Sequence, residues 1–208
     1  MAIVIAILVV LGILVVNEWW WRKTKVHDEL SRKFVHVTVG SFVAFWPFFL
    51  SWNEIRLLSL GFLVVVVASK YFKIFKAIHS VQRATWGEVY FALAVGLTTF
   101  ITHSPAVYAA AFLQVGLADG LAALVGTKYG KGNDYKVRGH AKSLAGSGTF
   151  LLVSYITLLS FSVFSTHVAI GWCLAAAAAA TTLENIAPRG LDNVVLPVFV
   201  AAVLRLLV

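Results

Sequence analysis

Asp119 is the residue whose type and surroundings most clearly predict chemistry in this chain. It lies in the run GLADGLAALVGT, where its neighbours are apolar or small. A carboxylate within an apolar helix is costly unless a partner or a function compensates for it, so such a residue marks a functional site by default. The alternative is a structural ion pair with Arg32 or Lys142. We expect Asp119 to take part in catalysis and to bind a metal ion.

Further carboxylates stand at the ends of predicted helices, on the same side as Asp119. Glu88 opens one apolar run, Glu184 closes another, and Asp192 with Asn193 opens the last. Oxygen ligands with lysines nearby suit Mg²⁺ and a polyphosphate, because the metal neutralises phosphate charge. We therefore expect all four carboxylates to face one pocket, with Mg²⁺ as the cofactor.

The segment from 126 to 147 is rich in glycine and lysine. It contains no Gly-x-x-x-x-Gly-Lys-Ser/Thr pattern, which excludes a P-loop. Its glycines permit close backbone approach to a phosphate, and its cations pair with one. Backbone N–H groups at the helix start, residues 143–147, are a further candidate anion site. The alternative is an ordinary basic loop. The candidate nucleotide-binding residues here are Gly126, Lys128, Gly130, Lys131, Lys142, Ser143, Gly146 and Ser147.

The run ELSRKFVH places Arg32 and His36 four residues apart, on one helix face. His36 is a candidate to hydrogen-bond a phosphate or to transfer a proton. A cap or a satisfied polar residue is the alternative for a histidine at a helix end.

The elements that must position these residues are membrane helices. A chain with 60% hydrophobic and 12% charged residues is not typical of a water-soluble globule. Apolar runs of roughly 20 residues span about 30 Å of hydrocarbon. We predict an all-α, polytopic membrane helix bundle of seven or eight transmembrane helices in one domain, 1–208, with an N-terminal helix and basic loop at 1–28 and a catalytic core at 29–200. The apolar runs are 2–21, 34–50, 55–69, 87–103, 105–127, 148–164, 168–187 and 191–208.

Charge placement predicts the orientation of the bundle. Fifteen of the seventeen Lys and Arg residues fall in 22–33, 70–83, 128–142 and at Arg189, and the turns between these clusters carry none. Positive charge accumulates on the cytoplasmic side, so we expect both termini outside and the site facing the cytoplasm. The net charge of +8 then reflects topology and contact with anionic lipid or nucleotide, and no nucleic-acid motif accompanies it. Residues 70–83 are typical of a basic amphipathic helix on the inner leaflet.

Five motifs occur in one order between about Glu29 and Pro197: ELSRKFVH, WGEVYF, DGLAALVGTKYGK, KSLAGS and ENIAPRGLDNVVLP. In this order they resemble the polyprenol, phytol and diacylglycerol kinases, integral membrane enzymes that are similar to the CDP-diacylglycerol synthases. The resemblance implies a lipid kinase that uses CTP to phosphorylate a long-chain isoprenoid alcohol or diacylglycerol at the surface of the bilayer.

With the resemblance, the candidate catalytic residues are Asp119, His36, Lys33 and Glu88, and Arg32 and Asn193 join the candidate nucleotide-binding residues. The resemblance also assigns residues to the motifs of that family. It carries over Arg32, Lys33 and His36 in the first motif, Asp119, Gly126, Gly130 and Lys131 in the nucleotide and metal motif, Lys142, Ser143, Gly146 and Ser147 in the loop, and Glu184, Asp192, Asn193 and Pro197 in the last. One position departs from the pattern: Ala145 stands where the family's Lys-Ser-x-Glu-Gly-Ser has glutamate. Either Glu88 or Glu184 replaces that carboxylate, or the substrate preference or activity differs from that of typical members.

The expected mechanism has Asp119 and Asp192 binding the metal while lysines hold the phosphates and a carboxylate or His36 accepts the hydroxyl proton. Two other functions fit the same residues. A phosphatidate cytidylyltransferase would use the same groups on a lipid phosphate and release pyrophosphate. A secondary transporter would use Asp119 as a proton or cation site, although the chain shows no internal repeat.

Overall fold

The computed structural model describes residues 1–24, 28–72, 86–188 and 190–208, with side chains described for all of these except 24, 28–32 and 70. Most of this chain is helical. In chain order the helices are α1 (Ala2–Thr24), α2 (Asp28–Ala44), α3 (Trp52–Phe72), α4 (Gly87–Ile101), α5 (Pro105–Leu113), α6 (Gly120–Tyr129), α7 (Leu144–Phe164), α8 (Ile170–Ile186) and α9 (Asp192–Leu207). A short 3₁₀ turn at Trp46–Phe48 follows α2, and a π-helical turn at Gln114–Asp119 joins α5 to α6.

Each of the eight predicted apolar runs contains a helix, although the run at 34–50 extends past the end of α2 at Ala44. Four helical stretches in the described residues are long and apolar enough to cross a membrane: Ala2–Lys23, Trp52–Ser69, Pro105–Tyr129 and Leu144–Phe164. The run at 55–69, the shortest of the predicted spans, belongs to the 21-residue helix α3. Most of the predicted amphipathic helix at 70–83 lies outside the described residues, as does Arg189.

The stretch from Pro105 to Tyr129 is the centre of the bundle, since 61% of its most apolar window is buried, against 28% or less for the other three candidate spans. It packs against α2, α7 and α9, while α4 packs against both α3 and α9. Ser104 begins this stretch as an N-cap, with its hydroxyl accepting from Val107 N at 3.4 Å, and Pro105 follows in the first turn. The residues of this stretch therefore meet several neighbouring helices.

Small residues allow α2 to approach the π turn closely. A Cβ at Gly116 would lie 2.8 Å from Ser41 N, and one at Gly40 would lie 2.9 Å from the Gly116 Cα. A Cβ at Gly120 would meet the Val37 side chain. The GxxxG spacing of Gly116 and Gly120 thus serves close helix packing, as small residues at this spacing commonly do.

The segment predicted as a glycine- and lysine-rich loop contains regular structure that the sequence did not predict. Strands β1 (Asp134–Val137) and β2 (His140–Ser143) form an antiparallel hairpin in which Val137 faces His140. Arg138 and Gly139 at its tip both have positive φ, as a two-residue hairpin turn requires. The helical bundle therefore carries one small β element, and Lys142 extends from its second strand.

Candidate active site

Three carboxylates from separate elements come together at one end of the bundle. Asp119 ends the π turn, Glu184 lies in the last turn of α8, and Asp192 begins α9. One carboxylate oxygen from each of them lies within 4.8 Å of the other two. Asp119 and Glu184 are buried and Asp192 is half-buried. We call these residues the acidic cluster. Its oxygen donors are of the type that Mg²⁺ prefers.

The π turn explains how Asp119 comes to face inward. An extra residue in a helical turn shifts the angular position of everything after it, and such turns are frequent at functional sites. The turn begins at Gln114, which is fully buried, and packs against α2, α7 and α9. Asp119 therefore points into the bundle, where only 7% of its surface is exposed.

Lys33 and His36 of α2 stand against Asp119. Lys33 Nζ lies 3.2 Å from Asp119 Oδ2 and 3.5 Å from Oδ1, and His36 Nε2 lies 3.3 Å from Oδ2. The two side chains share a helix face because they are three residues apart. The structural alternative from the sequence, an ion pair of Asp119 with Lys142, is wrong, since Lys33 is the pairing lysine. The side chain of Arg32 lies outside the described part of the chain.

Lys142 pairs with a different member of the acidic cluster. Its ammonium group forms an ion pair with Glu184 and donates to the Glu184 carbonyl at 3.2 Å. The hairpin places this lysine at the end of α8, because β2 leads directly into α7, which packs against α8. Two lysines thus balance two carboxylates, and each stands where a phosphate bound at the acidic cluster would need a cation.

A polar contact that the sequence did not predict fastens the hairpin to the bundle. The Tyr135 hydroxyl lies 2.5 Å from Ser147 Oγ and 2.8 Å from Asn185 Oδ1. Ser147 Oγ is also 2.9 Å from the same amide oxygen. Asn185 follows Glu184 directly, so this contact and the Lys142 ion pair fix the hairpin beside the acidic cluster. In the sequence, Asn185 directly follows the candidate residue Glu184, and this was the available sign that Asn185 lies near the site.

Several candidate nucleotide-binding residues pack around Ser143. A Cβ at Gly126 or Gly146 would lie 3.1 Å from Ser143 Oγ, and one at Gly130 would be closer still. The Ser143 hydroxyl caps α7 by accepting from Gly146 N at 3.1 Å, and Leu144 N donates to a carbonyl at Asn133. The expected anion site at residues 143–147 therefore already has two of its amides bonded within the protein.

Three other candidate nucleotide-binding residues lie outside the acidic cluster. Lys128 and Lys131 are exposed near the end of α6, and the Lys128 ammonium sits 5.0 Å from the centre of the Tyr129 ring. Asn193 donates through Nδ2 to the Gly87 carbonyl at 2.9 Å, which ties the start of α9 to the start of α4. Asn193 is thus engaged with the backbone of a neighbouring helix.

Glu88 does not join the acidic cluster, which corrects the expectation that all four carboxylates face one pocket. It lies in the wall of a separate cavity of about 100 Å³ that α1, α2, α3 and α4 enclose. His36 and Asn193 also line that cavity. Helix α4 starts beside α9, where Gly87 contacts Asn193, while Glu88 and Phe91 line the cavity. Two adjoining compartments result, one acidic and one mostly apolar.

Comparison with known proteins gives a relative with a named activity. The chain is 30% identical over 177 residues to a protein from Synechocystis sp. named phytol kinase, and the match covers 81% of this chain and 75% of the relative. No family model and no solved structure matches the chain.

Proposed function

Since the chain belongs to the polyprenol and phytol kinase family, we propose that it transfers the γ-phosphoryl group of CTP to the hydroxyl of a long-chain isoprenoid alcohol within a membrane. The observation that carries this proposal is the acidic cluster of Asp119, Glu184 and Asp192 beside an apolar cavity, with His36 touching both. A lipid kinase needs these two compartments, one for a charged nucleotide and one for an apolar acceptor.

The acidic cluster suits Mg²⁺. Carboxylate oxygens from Asp119, Glu184 and Asp192 approach one another within 4.8 Å, which is compatible with sharing one hard cation. Bound Mg²⁺ would neutralise charge on the phosphate oxygens of the nucleotide. Ala145 stands where the family has a glutamate, and Glu88 and Glu184 are the candidates to replace that carboxylate. The position of Glu184 in the acidic cluster favours it over Glu88.

Lys33 and Lys142 are the residues we assign to the phosphates. Both ammonium groups already stand at the carboxylates that would hold the metal, at 3.2 Å in the case of Lys33 and Asp119. A phosphate at the acidic cluster lies within their reach with little movement. Exposed Lys128 and Lys131 contribute positive charge at the approach to the site. Preorganised charge of this kind is the main contribution that a protein makes to phosphoryl transfer.

The reaction balances with the groups present. The alcohol oxygen forms a bond to the γ-phosphorus of CTP while the bond to the β–γ bridging oxygen breaks, and CDP leaves. The hydroxyl proton passes to Glu88 or His36, which line the cavity at the end nearest the acidic cluster. The products are CDP, the phosphorylated alcohol and one proton.

The proposed setting is a membrane with the site at the cytoplasmic face and both termini outside. Four helical stretches of the described chain have the length and composition to cross a bilayer. In the sequence, the lysines and arginines fall in clusters that alternate with uncharged turns, as the positive-inside rule predicts, and two of them, Lys33 and Lys142, form ion pairs within the acidic cluster. The alcohol would reach the site from the inner leaflet.

Product analysis tests the proposal. Detergent-purified protein is incubated with Mg²⁺, with CTP or ATP, and with an isoprenoid alcohol, diacylglycerol or phosphatidate. We expect CDP and a phosphorylated isoprenoid alcohol. Pyrophosphate with a CDP-lipid would instead establish a cytidylyltransferase, and ATP turnover alone would overturn the choice of donor. Absence of turnover, together with nucleotide-independent cation transport in vesicles, would establish the transporter.

A further inference from the structure

The cavity between α1, α2, α3 and α4 is polar at one end and hydrocarbon along the rest of its wall. His36, Glu88 and Asn193 mark the polar end, near the starts of α4 and α9. The wall away from these residues is apolar and includes Phe62 of α3 and Val10 of α1. An amphipathic molecule with one polar head and an apolar body matches this distribution.

The polar end of the cavity adjoins the acidic cluster through a single side chain. His36 lines the cavity, and its Nε2 atom lies 3.3 Å from Asp119 Oδ2. A hydroxyl held beside His36 or Glu88 would therefore face the place where the acidic cluster holds a phosphate. This proximity is what in-line attack by an alcohol requires.

The cavity opens sideways toward the surface that faces lipid. Val65 lines the cavity and is also 53% exposed, so the wall is incomplete there. Val10 and Leu14 of α1 are only partly buried on the opposite side. Among the described helices, α1 packs closely against α2 but not against α3. The gap between α1 and α3 is a lateral portal.

Resting on the proposed function, we propose that this cavity is the acceptor subsite and that it selects alcohols with one hydrocarbon chain. The hydroxyl lies at His36 and Glu88, the first carbons fill the cavity, and the remaining chain leaves through the portal into the bilayer. The cavity of about 100 Å³ is smaller than an engineered protein cavity of roughly 150 Å³ that holds a single benzene molecule. Diacylglycerol carries two acyl esters close to its hydroxyl, and a cavity of this size excludes the second chain.

A portal variant with a matched control tests the subsite. Val65→Trp narrows the portal, whereas Val64→Trp adds the same bulk at a neighbouring residue that is 61% exposed and does not line the cavity. We expect Val65→Trp to raise KM for a long-chain alcohol by about tenfold, with KM for CTP unchanged and Val64→Trp like the wild type. Equal behaviour of the two variants in an active enzyme would overturn the subsite while leaving the proposed function intact.

A binding measurement separates the subsite from the reaction. A single-chain alcohol with a photoreactive diazirine near its hydroxyl is cross-linked to the wild-type protein without nucleotide, and the labelled peptides are mapped. We expect labelling in α2, α3 and α4 at the cavity, blocked by excess single-chain alcohol and not by diacylglycerol. Cavity labelling in a protein that phosphorylates no alcohol would overturn the proposed function alone. Labelling spread over the outer surface, or equal competition by diacylglycerol, would overturn the subsite.

Discussion

Lys33 and Asp119 are 86 positions apart in the chain, yet Lys33 Nζ lies 3.2 Å from Asp119 Oδ2 inside the bundle. The contact joins α2 to the π turn at the depth where glycines bring the two backbones together. It therefore holds the carboxylate at a fixed position and also supplies a cation beside it. The following predictions separate these two roles and examine the surrounding residues.

Asp119→Asn should lower kcat by about 10²-fold to 10³-fold, because it removes the charge of a proposed ligand of the Mg²⁺ ion that would neutralise the reacting phosphate. The amide keeps the size of the side chain and can still accept from Lys33, so the protein should remain folded in detergent. Size-exclusion chromatography and a phosphoryl-transfer assay on the same preparation check both expectations. Retained activity would remove Asp119 from catalysis.

Lys33→Met should lower the free energy of unfolding by about 3 kcal/mol, because it leaves Asp119 buried without its ion-pair partner. The double variant Lys33→Met/Asp119→Leu should regain much of this loss, since neither charge then remains. Thermal unfolding in detergent is followed by tryptophan fluorescence for the wild type, Lys33→Met, Asp119→Leu and the double variant. These four proteins form a double-mutant cycle. Additive losses would mean that the two side chains do not stabilise each other.

Lys142→Met should raise KM for CTP by about tenfold while changing KM for the alcohol little, because the lysine is assigned to the phosphates. Lys136→Met is the matched control: this lysine is on the same hairpin but exposed. Steady-state kinetics with each substrate varied in turn gives KM for CTP and KM for the alcohol for each variant. Identical kinetics for the two variants would make the Lys142 ion pair purely structural.

Asp192→Asn should raise the Mg²⁺ concentration for half-maximal activity by about tenfold, because one of three oxygen ligands loses its charge. Chelation of the metal should abolish turnover in the wild type, and added Mg²⁺ should restore it. A Mg²⁺ titration of both proteins at saturating CTP measures the shift. An unchanged titration curve would place Asp192 outside the metal site.

Gly116→Ala should destabilise the protein by about 1–3 kcal/mol, because the added Cβ would lie 2.8 Å from the backbone nitrogen of Ser41. Gly171→Ala, in a helix position with nothing within 4 Å, should be neutral or slightly stabilising. Unfolding temperatures of the two variants in one detergent make the comparison. Equal unfolding temperatures for the two variants would show that α2 can move away from the π turn without loss of stability.

The helical architecture follows from the sequence because apolar runs and charge clusters repeat at the length of a membrane helix. Among the described residues, four of the eight predicted runs have the length and composition of a span. The hairpin at Asp134–Val137 and His140–Ser143 was not predicted, because each strand has only four residues and lies in a segment rich in glycine and lysine, although Asp134–Val137 does alternate polar and apolar residues.

The site could be predicted only in part. The sequence marks Asp119, Glu184 and Asp192 as candidates because charge in apolar surroundings requires an explanation. It gives no information on which face of α4 turns toward α9, so it places Glu88 with the other carboxylates. The pairing of Lys33 with Asp119, and of Lys142 with Glu184, depends on contacts between distant segments. Periodicity within a helix does not determine such contacts.

The π turn makes the acidic cluster sensitive to chain length inside a helix. One residue more or less rotates the following segment by about 100°. A single deletion between 114 and 118 would turn Asp119 away from Glu184 and Asp192 without changing any charged residue. Homologous sequences should therefore gain or lose the extra residue and the carboxylate together. An alignment gap at this turn would mark a lineage in which this position no longer belongs to the acidic cluster.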